Sequence, residues 1–281
     1  MSATVNAMTV DVEDYFQVSA FEKTISRDHW ERLPHRVEAN TQRILDLFAR
    51  HRIHATFFTL GWVAERYPGL IRRMIAEGHE LASHGYSHIR ATEQGRDEFY
   101  QDITRTRALL EDVSGTLVRG YRAASYSIGA GNLWALEELA RAGYCYSSSI
   151  YPIRHDLYGM PEAPRFAFQP EQAPALLEIP ITTVEILQRK FPCGGGGYFR
   201  LLPYRLSRWA MQRVNREDRQ SCVFYFHPGE IAPDQPRQHR IGLKTRIRHY
   251  LNLTRMETRL EALLRDFAWD RMDRIFLGKV N

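Results

Sequence analysis

The 281-residue sequence predicts a single α/β domain built around a parallel sheet. Short β-rich runs alternate with longer segments of helical period, which is the pattern of repeated βαβ units. Hydrophobic residues make up 44% of the chain, which is enough to bury one large core at this length. The prediction is therefore one domain over residues 1–281.

The individual elements follow from these two periodicities. Strands are predicted at residues 8–12, 55–60, 80–83, 117–122, 144–149, 177–184 and 221–226. Helices are predicted between and after them, at residues 38–51, 67–77, 96–114, 133–142, 204–214 and 251–268. The helix over 67–77 has Pro68 in its first turn and Gly78 after its last, as helix ends favour.

Three other segments are predicted to be irregular or peripheral. Residues 152–176 are rich in proline and lack periodicity, which indicates a long surface excursion. Residues 244–281 are predicted to form a C-terminal helical extension. The glycine run 194–197 lacks the residues of a phosphate loop and the spacing of a dinucleotide motif, so a flexible turn is predicted, with close backbone approach to a ligand as the alternative.

Charge and cysteine usage limit the class of protein. The net charge of +5 is spread along the chain, so no nucleic-acid partner is predicted. The basic segment 237–248 is interpreted as a solvated face, with attraction to an anionic polymer, a membrane surface or a biosynthetic complex as the alternative. The three cysteines form no CxxC pair, and the sequence has neither a signal-like N-terminus nor an apolar run of membrane length. These features predict a soluble cytoplasmic protein. A secreted protein whose leader had been removed would show the same features.

A paired-histidine motif is the most informative chemical feature. His84 and His88 follow an apolar run at a spacing that lets both imidazoles bind one divalent ion. Eleven histidines make such a pair a weak indicator by itself. The first predicted strand, however, leads into three carboxylates, Asp11, Glu13 and Asp14, which repel one another unless water or a cation neutralises them.

Two more polar residues end predicted strands. Arg122 closes the strand over 117–122, and His227 directly follows the strand over 221–226. Ligands and catalytic groups of parallel α/β folds gather at the carboxyl ends of strands. We therefore expect both residues to lie with the acidic cluster and the histidine pair.

In this order, the motifs resemble those of the NodB-homology polysaccharide deacetylases, carbohydrate esterase family 4. The resemblance is strongest to the branch associated with exopolysaccharide gene clusters and the exosortase system. It extends over nearly the whole chain, through TVDVEDYFQVSAFE, HELASHGYSH, GYRAASYSI, SSSIYPIRHDLYG, GGGGYFRLLPY, FYFHPGEI and RHYLNLTRMETRLEALLRDF. This similarity implies a distorted, incomplete parallel (β/α) barrel with the site at its carboxyl-end mouth.

The resemblance also implies roles for individual residues. It implies a divalent metal, zinc first, with cobalt, nickel or manganese as alternatives. Asp11 is then the general base, His84 and His88 are metal ligands, Arg122 orients the base, His227 is the general acid, and a backbone N–H near Tyr126 helps to hold the oxyanion. The third ligand stays open: strand alternation places Glu13 on the face of Asp11, whereas Asp14 is favoured if the strand ends and the chain turns there.

The sequence departs from the family pattern at three positions. Ala124 replaces a proline, which is expected to loosen its loop. Ser147 replaces an aspartate that supports the acid histidine, so His227 is expected to hold its proton less strongly. Gly229 replaces a tryptophan, so the pocket wall is expected to be open or altered.

The predicted function is N-deacetylation of hexosamine residues in an exopolysaccharide or its lipid-linked precursor. An N-acetylated polysaccharide or oligosaccharide is thus the predicted partner; the oligomeric state is not predicted. Hydrolysis of small cyclic amides or ureides and a catalytically weakened carbohydrate-binding role are the alternatives. Aromatic side chains that are candidates for stacking on sugar rings are Tyr15, Phe16, Trp62, Tyr126, Tyr198 and Phe199.

Overall fold

A computed structural model describes residues 4–156, 158–238 and 241–278. Its ten strands are β1 (Val5–Val12), β2 (Thr56–Thr59), β3 (Glu80–Ser83), β4 (Gly120–Tyr121), β5 (Tyr146–Ser147), β6 (Leu177–Glu178), β7 (Thr183–Ile186), β8 (Arg189–Pro192), β9 (Val223–Phe226) and β10 (Ala268–Asp270). Eight of them form a parallel sheet in the order β10-β1-β2-β3-β4-β5-β6, with β9 also paired to β1. The sheet curls into a half-barrel, which confirms the predicted incomplete (β/α) barrel.

Helices pack against this half-barrel sheet. They are α1 (Val37–His51), α2 (Gly61–Arg66), α3 (Pro68–Ala76), α4 (Arg96–Ser114), α5 (Trp134–Arg141), α6 (Gly196–Leu201), α7 (Tyr204–Arg213), α8 (Leu243–Tyr250), α9 (Leu253–Asp266) and α10 (Met272–Phe276). Most follow the predicted periodicity, and β3 and α4 have the predicted bounds. Among the described residues, no helix combines the length and apolarity needed to cross a membrane.

The C-terminal part of the chain adds two strands to the β1 end of the sheet. Strand β9 pairs with residues 7–10 of β1, and β10 pairs with residues 5–7. The helix predicted over 251–268 accordingly ends at Asp266, and a strand follows it. Pairing with a strand more than 250 residues away is invisible in a local pattern. Residues 279–281 of the predicted extension and Leu157 of the predicted excursion lie outside the described residues.

Two further predictions need correction. The predicted strand 177–184 is two elements: β6 joins the main sheet, and β7 pairs antiparallel with β8 in a separate hairpin. The glycine run is not a flexible turn, because it is packed tightly and leads into α6. A Cβ added at Gly194 would lie 2.3 Å from the Val223 carbonyl oxygen, and one at Gly196 would lie 2.4 Å from Glu230 Oε1. Glycine is required here for close packing.

Candidate metal centre and active site

A buried arginine holds the carboxylate of Asp11 at the end of β1. Arg122, directly after β4, has no exposed surface and donates one hydrogen bond to Asp11 Oδ1. The same guanidinium donates to Thr9 Oγ1 at 2.9 Å and to the Ser148 carbonyl at 3.1 Å, and it packs over the Phe58 ring at 3.9 Å. These contacts compensate the charge of Asp11 and fix its orientation.

Glu13, His84 and His88 form a buried group next to Asp11. Their potential ligand atoms all lie within 4.8 Å of one another. His84 Nδ1–H donates to the Arg122 carbonyl at 2.8 Å, which leaves the Nε2 lone pair available, as in many metal-bound histidines. Burial lowers the pKa of His84 to about 4, so the ring is neutral at physiological pH.

The donor atoms in this group fit a divalent metal ion. Glu13 Oε2 is buried and has no hydrogen-bond partner, although His88 Nε2 lies 2.9 Å away outside hydrogen-bond geometry. Burial by itself would raise the pKa of Glu13, but the nearby histidines lower it to about 2, so it is anionic. One carboxylate oxygen and two imidazole nitrogens are a ligand set typical of zinc and related metals.

Asp14, the alternative third ligand, has a different role. Its Oδ2 accepts hydrogen bonds from the backbone N–H groups of Arg36 at 2.6 Å and Val37 at 2.9 Å, and its Oδ1 accepts one from Tyr15 N at 2.8 Å. Asp14 therefore caps the N-terminus of α1. The geometry favours Glu13 as the third ligand.

His227 lies next to the carboxylates of Asp11 and Glu13. Its Nε2 is 3.9 Å from Asp11 Oδ2 and 3.4 Å from Glu13 Oε1. Its Nδ1–H donates to Glu230 Oε1 at 2.9 Å, and Glu230 Oε2 accepts from Arg200 Nε at 2.6 Å. The ring is thus oriented by Glu230 and presents Nε2 to the site.

The expectation that His227 holds its proton weakly is wrong. Burial lowers the pKa of His227, but the hydrogen bond to Glu230 and the charges of Glu13, Glu230 and Asp11 outweigh burial and raise it to about 9. Ser147 is engaged elsewhere, since its hydroxyl donates to Ser149 Oγ at 2.8 Å. Sequence reasoning missed Glu230, although its position three residues after His227 places both on one turn, Pro228–Ile231.

The structure changes the interpretation of Tyr126. Its backbone N–H donates to the Ala123 carbonyl at 3.1 Å, in a 3-10 turn where Ser125 and Tyr126 have φ values of 53° and 52°. The predicted oxyanion donor therefore has an internal partner in this conformation. The Tyr126 hydroxyl instead lies 3.4 Å from Asp11 Oδ2, so the side chain is the group that reaches the site.

A cavity of about 410 Å³ opens directly above these residues. Tyr15, Tyr126 and Tyr198 are among its lining residues, although Tyr15 is only 2% exposed and also packs in the hydrophobic core. The prediction needs correction for Phe16, Trp62 and Phe199, because their side chains are buried in the hydrophobic core. Period and composition do not distinguish a core aromatic residue from one in a pocket wall.

Polar side chains surround Gly229 in the pocket wall. A Cβ at this position would lie 3.7 Å from Tyr15 Cβ and 3.8 Å from Gln235 Oε1, which are ordinary contacts. Gln235 Nε2 donates to the Gly229 carbonyl at 2.9 Å, and His249 Nε2 lies 3.0 Å from Gln235 Oε1. Polar side chains from the C-terminal part of the chain thus form the wall beside Gly229.

Sequence families divide the chain into two parts. Residues 28–146 match the polysaccharide deacetylase family, and residues 148–277 match a domain of unknown function, DUF3473, which is found in exopolysaccharide-associated deacetylases. Residues 28–146 thus match a polysaccharide deacetylase (NodB-homology) domain, as the motifs predicted. Asp11 and Glu13 precede the first matched segment and His227 lies in the second, so folding assembles the site from both parts.

Two deacetylases are similar in sequence to parts of this chain. The chain is 34% identical over 99 residues to a peptidoglycan-N-acetylglucosamine deacetylase of Bacillus cereus, covering 35% of this chain and 36% of the relative. It is 38% identical over 112 residues to a chitooligosaccharide deacetylase of Bradyrhizobium sp., covering 40% and 48%. Each match thus spans less than half of the relative.

Two solved structures share the fold over almost the whole chain. A candidate polysaccharide deacetylase from Mycobacterium smegmatis has a TM-score of 0.60 at 18% identity, covering 98% of this chain and 92% of that one. The allantoinase PuuE has a TM-score of 0.61 at 17% identity, covering 96% and 88%. At these identities, the similarity is one of fold.

Proposed function

We propose that this protein is a metal-dependent hydrolase that removes N-acetyl groups from hexosamine residues of an exopolysaccharide or its lipid-linked precursor. The observation that carries the proposal is that the carboxylates of Asp11 and Glu13, the imidazoles of His84 and His88, and the side chain of His227 all line one cavity. The deacetylase family match supports the reaction, and DUF3473 supports the exopolysaccharide context.

The residues divide into a metal-holding group and a proton-transfer group. Glu13, His84 and His88 would hold the metal, which when bound lowers the pKa of a water molecule and polarises the acetamide carbonyl. Asp11 Oδ2 is available to accept the proton of the attacking water, because Arg122 occupies Oδ1. Asp11 Oδ2 has the longer 3.4 Å contact with the Tyr126 hydroxyl, so Oδ1 is the firmly held oxygen and Oδ2 faces the reacting region.

Breaking the amide bond also requires an acid. An amine is a poor leaving group unless its nitrogen is protonated as the C–N bond breaks. His227 is protonated at neutral pH, and its Nε2 faces the reacting region while Glu230 holds Nδ1. The products are acetate and the free amino sugar.

Acetate release from N-acetylglucosamine oligomers, with and without added zinc or cobalt, tests the proposal. We expect metal-stimulated release and a decrease in kcat of about a hundredfold or more in Asp11→Asn, because a positioned general base contributes about 10²–10⁴. Asp97→Asn, at an exposed position on α4, is the matched control. Unchanged acetate release in Asp11→Asn would contradict the mechanism.

The same assay distinguishes the alternatives. Ring opening of a small cyclic ureide such as allantoin, without acetate release from oligosaccharides, would favour the cyclic-amide alternative. Oligosaccharide binding without any hydrolysis under saturating metal would favour a non-catalytic role. The complete set of Asp11, Arg122 and His227 around the metal group supports catalysis.

A further inference from the structure

Helix α8 lies at the cavity mouth and exposes apolar side chains. None of its residues is buried. Leu243 is 72% exposed and Ile247 is 50% exposed. Residues four apart share one face of a helix, so these two side chains form a single apolar strip pointing outward.

Basic residues border this strip on both sides. At about 100° per residue, Lys244 and Arg246 project on either side of the line from Leu243 to Ile247. The segment from Gln235 to Met256 contains six Lys or Arg residues and no Asp or Glu. Lys244 Nζ lies 2.7 Å and Arg248 lies 3.3 Å from the exposed carboxylate of Asp156, whereas Arg246 has no ion-pair partner among the residues that the structure describes. Three basic side chains against one carboxylate leave the borders of the apolar strip cationic.

The inner face of α8 is anchored to the protein. His249 lies against Phe21, with ring centroids 4.5 Å apart, and Thr245 and His249 both line the cavity. The buried side chain of Arg200 donates to the carbonyls of Arg248, His249 and Leu251 at the end of the helix. These contacts fix which face of α8 points outward.

The apolar strip continues to the cavity mouth. Ile247 lines the cavity together with Leu201 of α6, which is 56% exposed. Helices α6 and α8 also contact each other. A surface that holds α8 would therefore lie directly beside the entrance to the candidate active site.

We propose that α8 docks this protein onto an anionic lipid bilayer, with Leu243 and Ile247 inserted between headgroups, Arg246 paired with a lipid phosphate, and Lys244 exchanging its partner Asp156 for another phosphate. An apolar strip with cationic borders is the pattern of a helix that lies in a membrane interface. A soluble polyanion would bind the basic residues but would not favour exposure of two large aliphatic side chains. The docking does not depend on the proposed reaction.

Vesicle sedimentation tests the apolar contribution. The full chain is mixed with vesicles of phosphatidylglycerol and phosphatidylcholine in equal parts, or of phosphatidylcholine alone. We expect binding only to the anionic vesicles, and at least a fivefold weaker partition for Leu243→Ser. Leu117→Ser, a 68% exposed leucine just before β4 at the amino end of the sheet, is the matched control and should bind like the parent.

A second pair of variants tests the charge. Lys244→Gln combined with Arg246→Gln should weaken partition more than tenfold, since each basic residue contributes about fivefold at an anionic surface. Arg50→Gln combined with Arg72→Gln removes the same charge from exposed positions of α1 and α3 and should have little effect.

Three results would overturn the proposal. The first is the absence of binding to anionic vesicles by the parent. The second is loss of binding in the charge variant with parent-like binding of Leu243→Ser, which would indicate a polyanion site. The third is a parent dimer in sedimentation velocity that Leu243→Ser dissociates, which would identify a second copy as the occupant of this surface.

Discussion

The assignment of the third metal ligand can be tested with two adjacent carboxylates. Glu13→Gln and Asp14→Asn each replace a buried carboxylate by an amide of the same size. They alter different structures, because Glu13 belongs to the group with His84 and His88, whereas Asp14 caps α1. Each variant is thus the matched control of the other.

Glu13→Gln is expected to change metal affinity, whereas Asp14→Asn is expected to change the free energy of unfolding. Glu13→Gln removes the anionic member of a three-residue ligand set, and we expect metal affinity to fall at least about a hundredfold, since losing an outer-shell partner alone costs about 10–100-fold. Asp14→Asn keeps one acceptor oxygen but loses the charge at the N-terminus of α1. It should lower the free energy of unfolding by about 1–2 kcal/mol, with metal affinity near that of the parent.

Two measurements separate these effects. Isothermal titration with zinc or cobalt reports metal affinity, and urea unfolding of the metal-free protein reports stability. Weak metal binding in Asp14→Asn, together with parent-like binding in Glu13→Gln, would refute the assignment of Glu13. Equal losses of affinity in both variants would also refute it, because they would show that neither residue acts independently.

Three further outcomes are expected. Glu230→Gln should lower kcat by about 10–100-fold with little change in KM, measured by acetate release, because His227 loses the anion that orients it and holds its proton. Gly196→Ala should produce a similar loss, because its Cβ would displace Glu230, whereas Gly69→Ala, at an exposed position of α3 where the added Cβ meets no atom within 4 Å, should behave like the parent. Burial raises the pKa of Glu80 to about 7, so folded Glu80 retains a proton that the unfolded chain releases above about 4.5. Stability relative to Glu80→Gln should therefore fall as the pH rises from about 4.5 to 7, measured by urea unfolding; a constant difference would contradict this.

Local sequence determined the scaffold and the identity of most chemical groups. Apolar periodicity located the strands and helices, since each element must bury one face. The carboxyl ends of parallel strands meet at one edge, so the proximity of Asp11, Arg122 and His227 follows from their positions at strand ends in the sequence. The structure brings these three residues together with His84 and His88 around one cavity.

Side-chain direction beyond the strand ends was decided only by the tertiary structure. Strand alternation and a possible chain turn left both Glu13 and Asp14 as candidates for the third metal ligand. The structure favours Glu13, because the carboxylate of Asp14 accepts hydrogen bonds from the N-terminus of α1. The tertiary structure also decided which aromatic residues face the cavity and which are buried in the core. Phe16, for example, is buried by elements that are distant in sequence.

The group that orients the acid histidine, His227, was also decided by the tertiary structure. The sequence determined that Ser147 lacks a carboxylate, but only the fold shows that Glu230, held by Arg200, provides one from the other side of His227. Gly196 allows this because its missing Cβ leaves room for the Glu230 carboxylate. Residue type sets which chemistry is available. Packing sets the distances between groups that are remote in sequence, and it therefore decides which group carries out that chemistry.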